Sequence, residues 1–180
     1  MGAVEIPSIA ADFNAFKIAA QTVNPAVEEV PVAYTGSWVD IPKAKEAAIA
    51  QIDSGVELIM ANGDNANVGA IEAAKENGEV YVIGWTRDQS HLAPELVLTS
   101  NEQRVDHILV DAMTQIKDGS VEWGNHIVGF AEGAQSFSEY NEVVPAEVAQ
   151  EVDAVIEALA TGKIVLDDTT GDVVKDDYHK

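Results

Sequence analysis

The fold of this chain is decided by residues 56–89, which read VELIMANGDNANVGAIEAAKENGEVYVIGWTRDQ. A short apolar run at 56–60 ends abruptly in small and polar residues. A helical stretch follows as far as Asn77-Gly78, and a second apolar run occupies 80–83. Because strand, helix and strand alternate, the pattern predicts two parallel strands joined by a right-handed crossover.

The same junction between a strand and small or polar residues occurs three times. The junctions are 34–42, YTGSWVDIP, then 60–69, MANGDNANVG, and 83–89, IGWTRDQ. The carboxyl ends of neighbouring parallel strands open onto one edge of a sheet, and ligands of α/β proteins bind there. Two of the junctions carry a tryptophan, Trp38 and Trp85. The sequence therefore predicts an edge where aromatic faces and polar groups can hold a small molecule.

The rest of the chain extends this alternation. Apolar residues at helical spacing predict helices, and proline or glycine marks their ends. Further helices are predicted at 8–23, from Asp40 or Ser37 to just before Gly55, from Thr99-Ser100 to Gly119, and at 145–162. Further strands are predicted at 30–34, at 126–130 and as a pair around a turn in 163–174, with 92–98 extended. The predicted class is α/β, a parallel sheet flanked by helices.

The charge limits the partners. The 180 residues include 31 acidic and 10 basic side chains, for a net charge of -21. Phosphate binding needs a basic surface, so we expect no nucleic-acid partner, and an anionic membrane surface is disfavoured. We interpret the acidity as a solvated, self-repelling surface, and adaptation to high salt is the alternative.

Cysteine content and apolar runs exclude further classes. The chain has no cysteine, so disulfides, thiolate catalysis and zinc–thiolate sites are excluded. No apolar run approaches the roughly 18 residues of a membrane-spanning helix. The first residues lack the basic and apolar segments of an export signal. We therefore expect a soluble chain without a signal peptide.

Residue sets that carry catalysis are sparse. The loop at 62–65 is not followed by the Gly-Lys-Ser/Thr of a phosphate-binding loop, and no Gly-x-Ser-x-Gly elbow is present. Asp167, Asp168 and Asp172 flank a turn but lack calcium-loop spacing. We predict that the chain is not an enzyme and uses neither cofactor nor metal. The histidines, none at the spacing of metal ligands, are His91, His107, His126 and His179.

The strand ends supply the candidate ligand contacts. Trp38 and Trp85 lie among small and polar residues, so either can stack on a ligand or cap the sheet edge. The loop Asn62-Gly63-Asp64 precedes a helix, and its backbone N–H groups can face a polar ligand. Alternatively, Asp64 or Asn65 caps the helix. Arg87 is expected to pair with Asp88 or with the acidic surface.

Taken in order along the chain, a set of motifs resembles one family, the basic membrane proteins. The motifs are VNPAVE at 23–28, GSWVDIPKAKEAA at 36–48, IEAAKENG at 71–78, YVIGWTRDQ at 81–89, APELVLTSNEQRVD at 93–106, VPAEV at 144–148 and GKI at 162–164. This family consists of substrate-binding lipoproteins of ABC transporters, and many members bind purine nucleosides. The resemblance implies a type I periplasmic-binding fold, with two α/β lobes and the ligand between them.

The resemblance also implies a domain organisation. Residues 1–98 correspond to the C-terminal, ligand-binding lobe, and residues 99–180 to the helices, strand and tail that complete the two-lobe fold. The first lobe is then absent from this chain. The full-length family is extracytoplasmic and works with an ABC transporter permease.

The resemblance assigns roles to particular residues. Trp38 matches the aromatic position that stacks on the ligand base, and the loop at 62–64 matches a ligand loop. Thr86 stands where an aspartate typically holds the ribose hydroxyls, and Gln103 stands where a lysine is usual. Asp88 and Gln89 are expected to form the turn that follows.

Two functions follow as predictions. The first is a solute-binding module for a nucleoside or a related small polar ligand that contains a ring. The alternative is a structural protein that self-associates into a homo-oligomer through the apolar face of 99–118.

Overall fold

A computed structural model of the chain describes residues 1–179. Helices and strands alternate over most of this range. The elements in chain order are α1 (Pro7–Val23), α2 (Ile41–Asp53), β1 (Leu58–Met60), α3 (Asn67–Asn77), β2 (Tyr81–Thr86), β3 (Val97–Gln103), α4 (Val105–Asp118), β4 (Gln135–Phe137), α5 (Ala146–Ala160), β5 (Ile164–Leu166) and β6 (Val173–Asp176). None of the described helices is both long and apolar enough to cross a membrane.

A four-stranded sheet in the order β1-β2-β3-β4 forms the centre of the fold. Strands β1, β2 and β3 are parallel, whereas β4 is antiparallel to β3. Beyond β1, Gly2 forms isolated parallel bridges with Asn62 and Tyr34, which continue the sheet by single contacts. Strands β5 and β6 form a separate antiparallel pair. The predicted α/β class is confirmed, with one antiparallel strand at the sheet edge.

Local signals define these helix ends, although α1 begins one residue before its predicted start at Ser8 and has no side-chain cap. Helix α1 begins with Pro7, and α2 is capped by Asp40, whose Oδ1 accepts a hydrogen bond of 3.0 Å from the backbone N of Lys43. Helix α3 ends at Gly78, whose φ of 84° is a left-handed conformation that costs glycine little because it lacks a Cβ. The predicted helices in these three regions and at 145–162 are therefore confirmed.

The main core lies between one face of the sheet and helices α2 and α3. The strand residues Ile59, Val82 and Val97 are at most 2% exposed. Small residues let the two helices approach closely: a Cβ added to Gly69 would collide with the backbone carbonyl oxygen of Ile41. The helical alanines in this core are Ala44, Ala48, Ala70, Ala73 and Ala74. Helices α1 and α5 and the β5–β6 pair line a cavity together with strand residues outside this core.

The predicted start of the amphipathic helix at Thr99-Ser100 is wrong. Both residues belong to β3, and α4 begins only at Val105. Thr99 Oγ1 donates to the carbonyl oxygen of Ser138, and Ser100 N donates to Ser138 Oγ, both at 2.9 Å. Ser138 lies 39 residues beyond Thr99. Long-range pairing therefore outweighed the local signal of a helix cap.

The prediction of strands at 126–130 and 30–34 is also wrong. The first range contains no strand, and Ile127 is 75% exposed. In the second range only Tyr34 pairs, through its bridge to Gly2. The extended region predicted at 92–98 begins only at Val97, since a 3₁₀ turn occupies Ser90–Leu92.

Candidate functional site

Three segments meet around one cavity of about 330 Å³. They are the loop after the Tyr34 bridge, the loop after β1, and the end of β2 with the residues that follow it. These segments are the three junctions that the sequence singles out. Four of the predicted contacts are brought together here, namely Trp38, Asp64, Trp85 and Thr86. The remaining lining residues are Val39, Asn65, Arg87 and Gln89.

Asp64 and Thr86 both line the cavity, and a hydrogen bond joins their side chains. Thr86 Oγ1 donates a hydrogen bond of 2.6 Å to Asp64 Oδ1. Both backbones have positive φ angles, 48° at Asp64 and 77° at Thr86. This conformation is uncommon for non-glycine residues and strained for a β-branched one. The fold therefore holds a carboxylate and a hydroxyl in a defined relative position at the strand ends.

Trp38 is presented by a loop that its own hydrogen bonds hold in place. Ser37 Oγ accepts hydrogen bonds of 3.2 Å from the backbone N atoms of Val39 and Asp40. The carbonyl oxygen of Trp38 accepts a 3.0 Å hydrogen bond from Ala66 N, which ties this loop to the one after β1. The indole is partly exposed, so part of its surface can contact a ligand.

Gln89 is buried and supports the wall of the cavity. From the sequence it was expected only to form a turn. It is 4% exposed, and its Oε1 accepts hydrogen bonds from Trp85 N at 3.1 Å and Asn67 Nδ2 at 3.4 Å. Its backbone N donates to Ser100 Oγ at 3.1 Å. Gly84 makes room for it, since a Cβ there would lie 2.9 Å from Gln89 Oε1. A glycine inside a strand, five residues before a glutamine, was the available signal.

The other predicted contacts lie away from this cavity. Asn62 is 3% exposed, and its Nδ2 donates a hydrogen bond of 2.9 Å to Asp12 Oδ2. Burial raises the pKa of Asp12 to about 6, against the lowering effect of that hydrogen bond. Gly63 is buried before a 3₁₀ turn, and Gln103 is exposed at the end of β3, opposite Gln135.

Arg87 is exposed and lines the cavity. Within residues 1–179, no carboxylate lies at ion-pair distance from its guanidinium. Asp88 instead accepts hydrogen bonds from Ser90 N at 2.9 Å and Ser90 Oγ at 3.0 Å. The predicted pairing of Arg87 with Asp88 is therefore wrong, and the guanidinium can donate to a ligand.

The chemistry of the site is stacking and hydrogen bonding. The partly exposed indole of Trp38 offers a ring face, Asp64 offers carboxylate acceptors, and Arg87 offers donors. In the part of the chain that the structure describes, no group of three or more His, Cys, Asp or Glu side chains is placed to hold a metal ion. The arrangement suits a small polar ring.

Comparison with known proteins identifies the family. A family model described as "ABC transporter substrate-binding protein PnrA-like", Bmp, matches residues 1–169. The chain belongs to the Bmp family. The Bmp family consists of substrate-binding proteins and not of enzymes. The resemblance to basic membrane proteins that the motifs indicate is thereby confirmed.

Relatives of this Bmp chain are longer than the chain itself. Basic membrane protein A of Borreliella afzelii is 31% identical over 136 residues, which are 74% of this chain and 42% of that protein. A purine-binding protein of Brucella abortus is 28% identical over 177 residues, which are 98% of this chain and 49% of that protein. The chain thus spans about half the length of the curated relatives it matches.

A solved structure supports the same conclusion about the Bmp fold. An ABC transporter solute-binding protein from Aeropyrum pernix K1 superposes with a TM-score of 0.74 and 19% identity, over 95% of this chain and 57% of that chain. At this identity the similarity shows the fold alone. The chain has the architecture of part of a solute-binding protein.

Proposed function

We propose that this Bmp-family chain carries one wall of a solute-binding site, and that its ligand is a nucleoside or a related small polar molecule with a ring. The observation that carries the proposal is the convergence of Trp38, Asp64 and Thr86 on one cavity at the carboxyl ends of the strands. The Brucella abortus relative is named as a purine-binding protein, which supports a purine as the ring.

Each side chain has a distinct role in this proposal. Trp38 stacks on the ring, an interaction that contributes about 1–3 kcal/mol when an aromatic side chain meets a base. Asp64 and Thr86 bind ligand hydroxyl groups, and Arg87 donates to an acceptor on the ring. We also propose Gln103, which is exposed at the end of β3, as a contact for a ligand that extends beyond the cavity.

Asn62 and Gly63 are proposed to act indirectly. Both are buried, and Asn62 fixes the start of the loop that carries Asp64 through its hydrogen bond to Asp12. Trp85 is 8% exposed and forms part of the cavity wall beneath that loop. These residues keep the carboxylate of Asp64 in position rather than contacting the ligand over a large area.

A single wall implies weak binding. The relatives are about twice as long as the region they share with this chain, and the family resemblance implies a second lobe that closes over the ligand. We propose residues 1–98 as the ligand-binding lobe and residues 99–180 as the elements that complete the two-lobe fold. In such a complete protein the partner is an ABC transporter permease and the location is extracytoplasmic.

Titration with adenosine, guanosine and inosine tests the proposal. Ligand-observed NMR at millimolar nucleoside is expected to detect weak, saturable binding that is lost in Trp38→Ala. Trp123→Ala is the matched control, because that indole is 83% exposed and does not line the cavity. No binding of any nucleoside, or equal binding by Trp38→Ala, contradicts the site. Micromolar or tighter binding by the monomeric chain overturns the single-wall argument.

Helix α4 supports a second candidate, self-association. The helix has no buried residue although its apolar side chains share one face. Leu109, Met113 and Ile116 are 57%, 68% and 54% exposed. An exposed apolar face of this kind marks an interaction surface. Light scattering distinguishes the candidates, because a stable dimer or larger assembly favours this role and a well-folded monomer excludes it.

A further inference from the structure

A second cavity, of about 370 Å³, shares only Trp85 with the site described above. The strand registers define its floor: Met60 pairs with Ile83, Trp85 with Asn101, and Asn101 with Phe137. Side chains alternate along a strand, so Ile83 and Trp85 point to the same face of the sheet. This face is the one opposite the main core.

Apolar side chains from helices on either side form the walls of this second cavity. Helix α1 contributes Phe16, α5 contributes Val155 and Leu159, and β5 contributes Leu166. Val155 and Leu159 are four residues apart and therefore share one helix face. The volume lies in the range of small-molecule sites, about 300–1,000 Å³, so the cavity is large enough for a small occupant.

The polar side chains in this cavity are mainly acceptors. Asn101 is 8% exposed, and its Oδ1 has no hydrogen-bond partner within residues 1–179. Asp12 Oδ2 accepts a hydrogen bond from Asn62, and Asp176 Oδ2 is paired with His179 Nδ1 at 2.7 Å. Asn101 Oδ1 itself has almost no accessible surface, so the acceptors that line the cavity for a ligand are the carboxylates of Asp12 and Asp176.

We propose that this cavity binds a compact aromatic amine, with the ring among Phe16, Phe137 and Leu159 and the ammonium group donating to the carboxylate of Asp12. The apolar walls select the ring, because burying it removes apolar surface from water. The Asp12 carboxylate selects a hydrogen-bond donor and favours a cation over a neutral group. The net charge of -21 attracts a cation and repels an anion of the same shape.

Three probes of similar size separate these contributions. 2-Phenylethylamine supplies a ring and an ammonium group, 3-phenylpropionate a ring and a carboxylate, and ethylbenzene the ring alone. Ligand-observed NMR or calorimetry is expected to give saturable binding of the amine, with both other probes about tenfold weaker or worse. No saturable binding of the amine, or equal binding of 3-phenylpropionate, overturns the proposal.

Variants locate the binding. Leu159→Trp fills the cavity and is expected to abolish amine binding. If that variant does not fold, Ala19→Phe replaces it, because Ala19 lines the same cavity and is exposed. Asp12→Asn removes the charge but keeps an acceptor. It is expected to weaken binding of the amine and to leave the affinity for ethylbenzene unchanged. Amine binding that persists in a folded cavity-filling variant contradicts the assignment.

This site is independent of the proposed nucleoside site. Trp38→Ala is expected to leave 2-phenylethylamine binding intact, since Trp38 does not line the second cavity. If adenosine displaces the amine in proportion to nucleoside occupancy, the two ligands share one site. That result would overturn the amine proposal and leave the nucleoside proposal unchanged.

Discussion

Thr86 Oγ1 donates a hydrogen bond of 2.6 Å to Asp64 Oδ1, and these two are the only non-glycine residues within 1–179 that have a positive φ. Two uncommon backbone conformations therefore meet at one contact. Strain of this kind costs of the order of 1–3 kcal/mol per residue and is found where a function requires the geometry. Here it lies at the wall of the proposed nucleoside site.

Replacing Thr86 by asparagine tests the strain. Asparagine tolerates a positive φ far better than a β-branched residue and can still donate to Asp64, so Thr86→Asn is expected to stabilise the chain by about 1 kcal/mol. Urea unfolding measures the change. Thr114→Asn, at an exposed position within α4, is the control and is expected to give no gain in the free energy of unfolding. Destabilisation by Thr86→Asn shows that the threonine backbone is not strained.

Gly84 is expected to tolerate no side chain. A Cβ there would lie 2.5 Å from Ser100 Oγ and 2.9 Å from Gln89 Oε1, so Gly84→Ala must displace the buried glutamine. We expect a loss of about 1–3 kcal/mol in the free energy of unfolding, as for other overpacked sites.

Gly129→Ala is the matched control for this change. An added Cβ at Gly129 would meet no atom within 4 Å. Unfolding in urea is expected to show little change for this variant. If both glycine variants lose the same stability, close packing around Gln89 is not the cause.

Asp12 makes stability depend on pH. Burial raises its pKa from an ordinary value of 3.8 to about 6, so between these values the folded chain holds a proton that the unfolded chain releases. The destabilising charge is therefore absent at pH 4 and fully present above about pH 6. Asp12→Asn removes it and keeps an acceptor for Asn62.

The comparison of melting temperatures checks this prediction. The melting temperature of Asp12→Asn is expected to exceed that of the original chain least near pH 4. The difference in melting temperature should grow as the pH rises to about 6 and then stay level. Taking the difference between two chains cancels the general effect of the high net charge. A difference that does not vary with pH counts against a buried, ionisable Asp12.

The exposed face of α4 gives a prediction about assembly. If the chain self-associates through this face, Leu109→Glu with Met113→Glu is expected to convert the assembly to monomers, because four carboxylates per dimer then enter an apolar contact. Sedimentation velocity measures the mass. Thr114→Glu adds charge at an exposed position on the opposite side of α4, and is the control. An unchanged assembly in the double variant places the interface elsewhere.

The parts of the fold that the sequence predicts correctly depend on local chemistry. Asp40 as a cap and Gly78 as a terminator act within one helical turn, so the ends of α2 and α3 can be read from neighbouring residues. The convergence of Asp64 and Thr86 was predictable for a related reason. Parallel strands must place their carboxyl ends at one edge, whatever their side chains are.

The parts that were missed depend on distant partners. Thr99 and Ser100 look like a helix start, yet both form hydrogen bonds with Ser138, which directly follows β4. Gln89 looks like a turn residue, yet its amide is buried between Trp85 and Asn67. Neither partner can be identified from spacing, because hydrogen bonds between distant segments leave no periodic signal.

By itself, the sequence determined the alternation of strands and helices, the family and the three loops that surround the proposed ligand. Only the tertiary structure decided that Asn62 is buried against Asp12, that Arg87 lacks an ion-pair partner within residues 1–179, and that Asn101 faces an apolar cavity. The physical reason is the range of the forces. Caps and periodicity act over a few residues, whereas burial and acceptor pairing depend on segments that the chain brings together only when it folds.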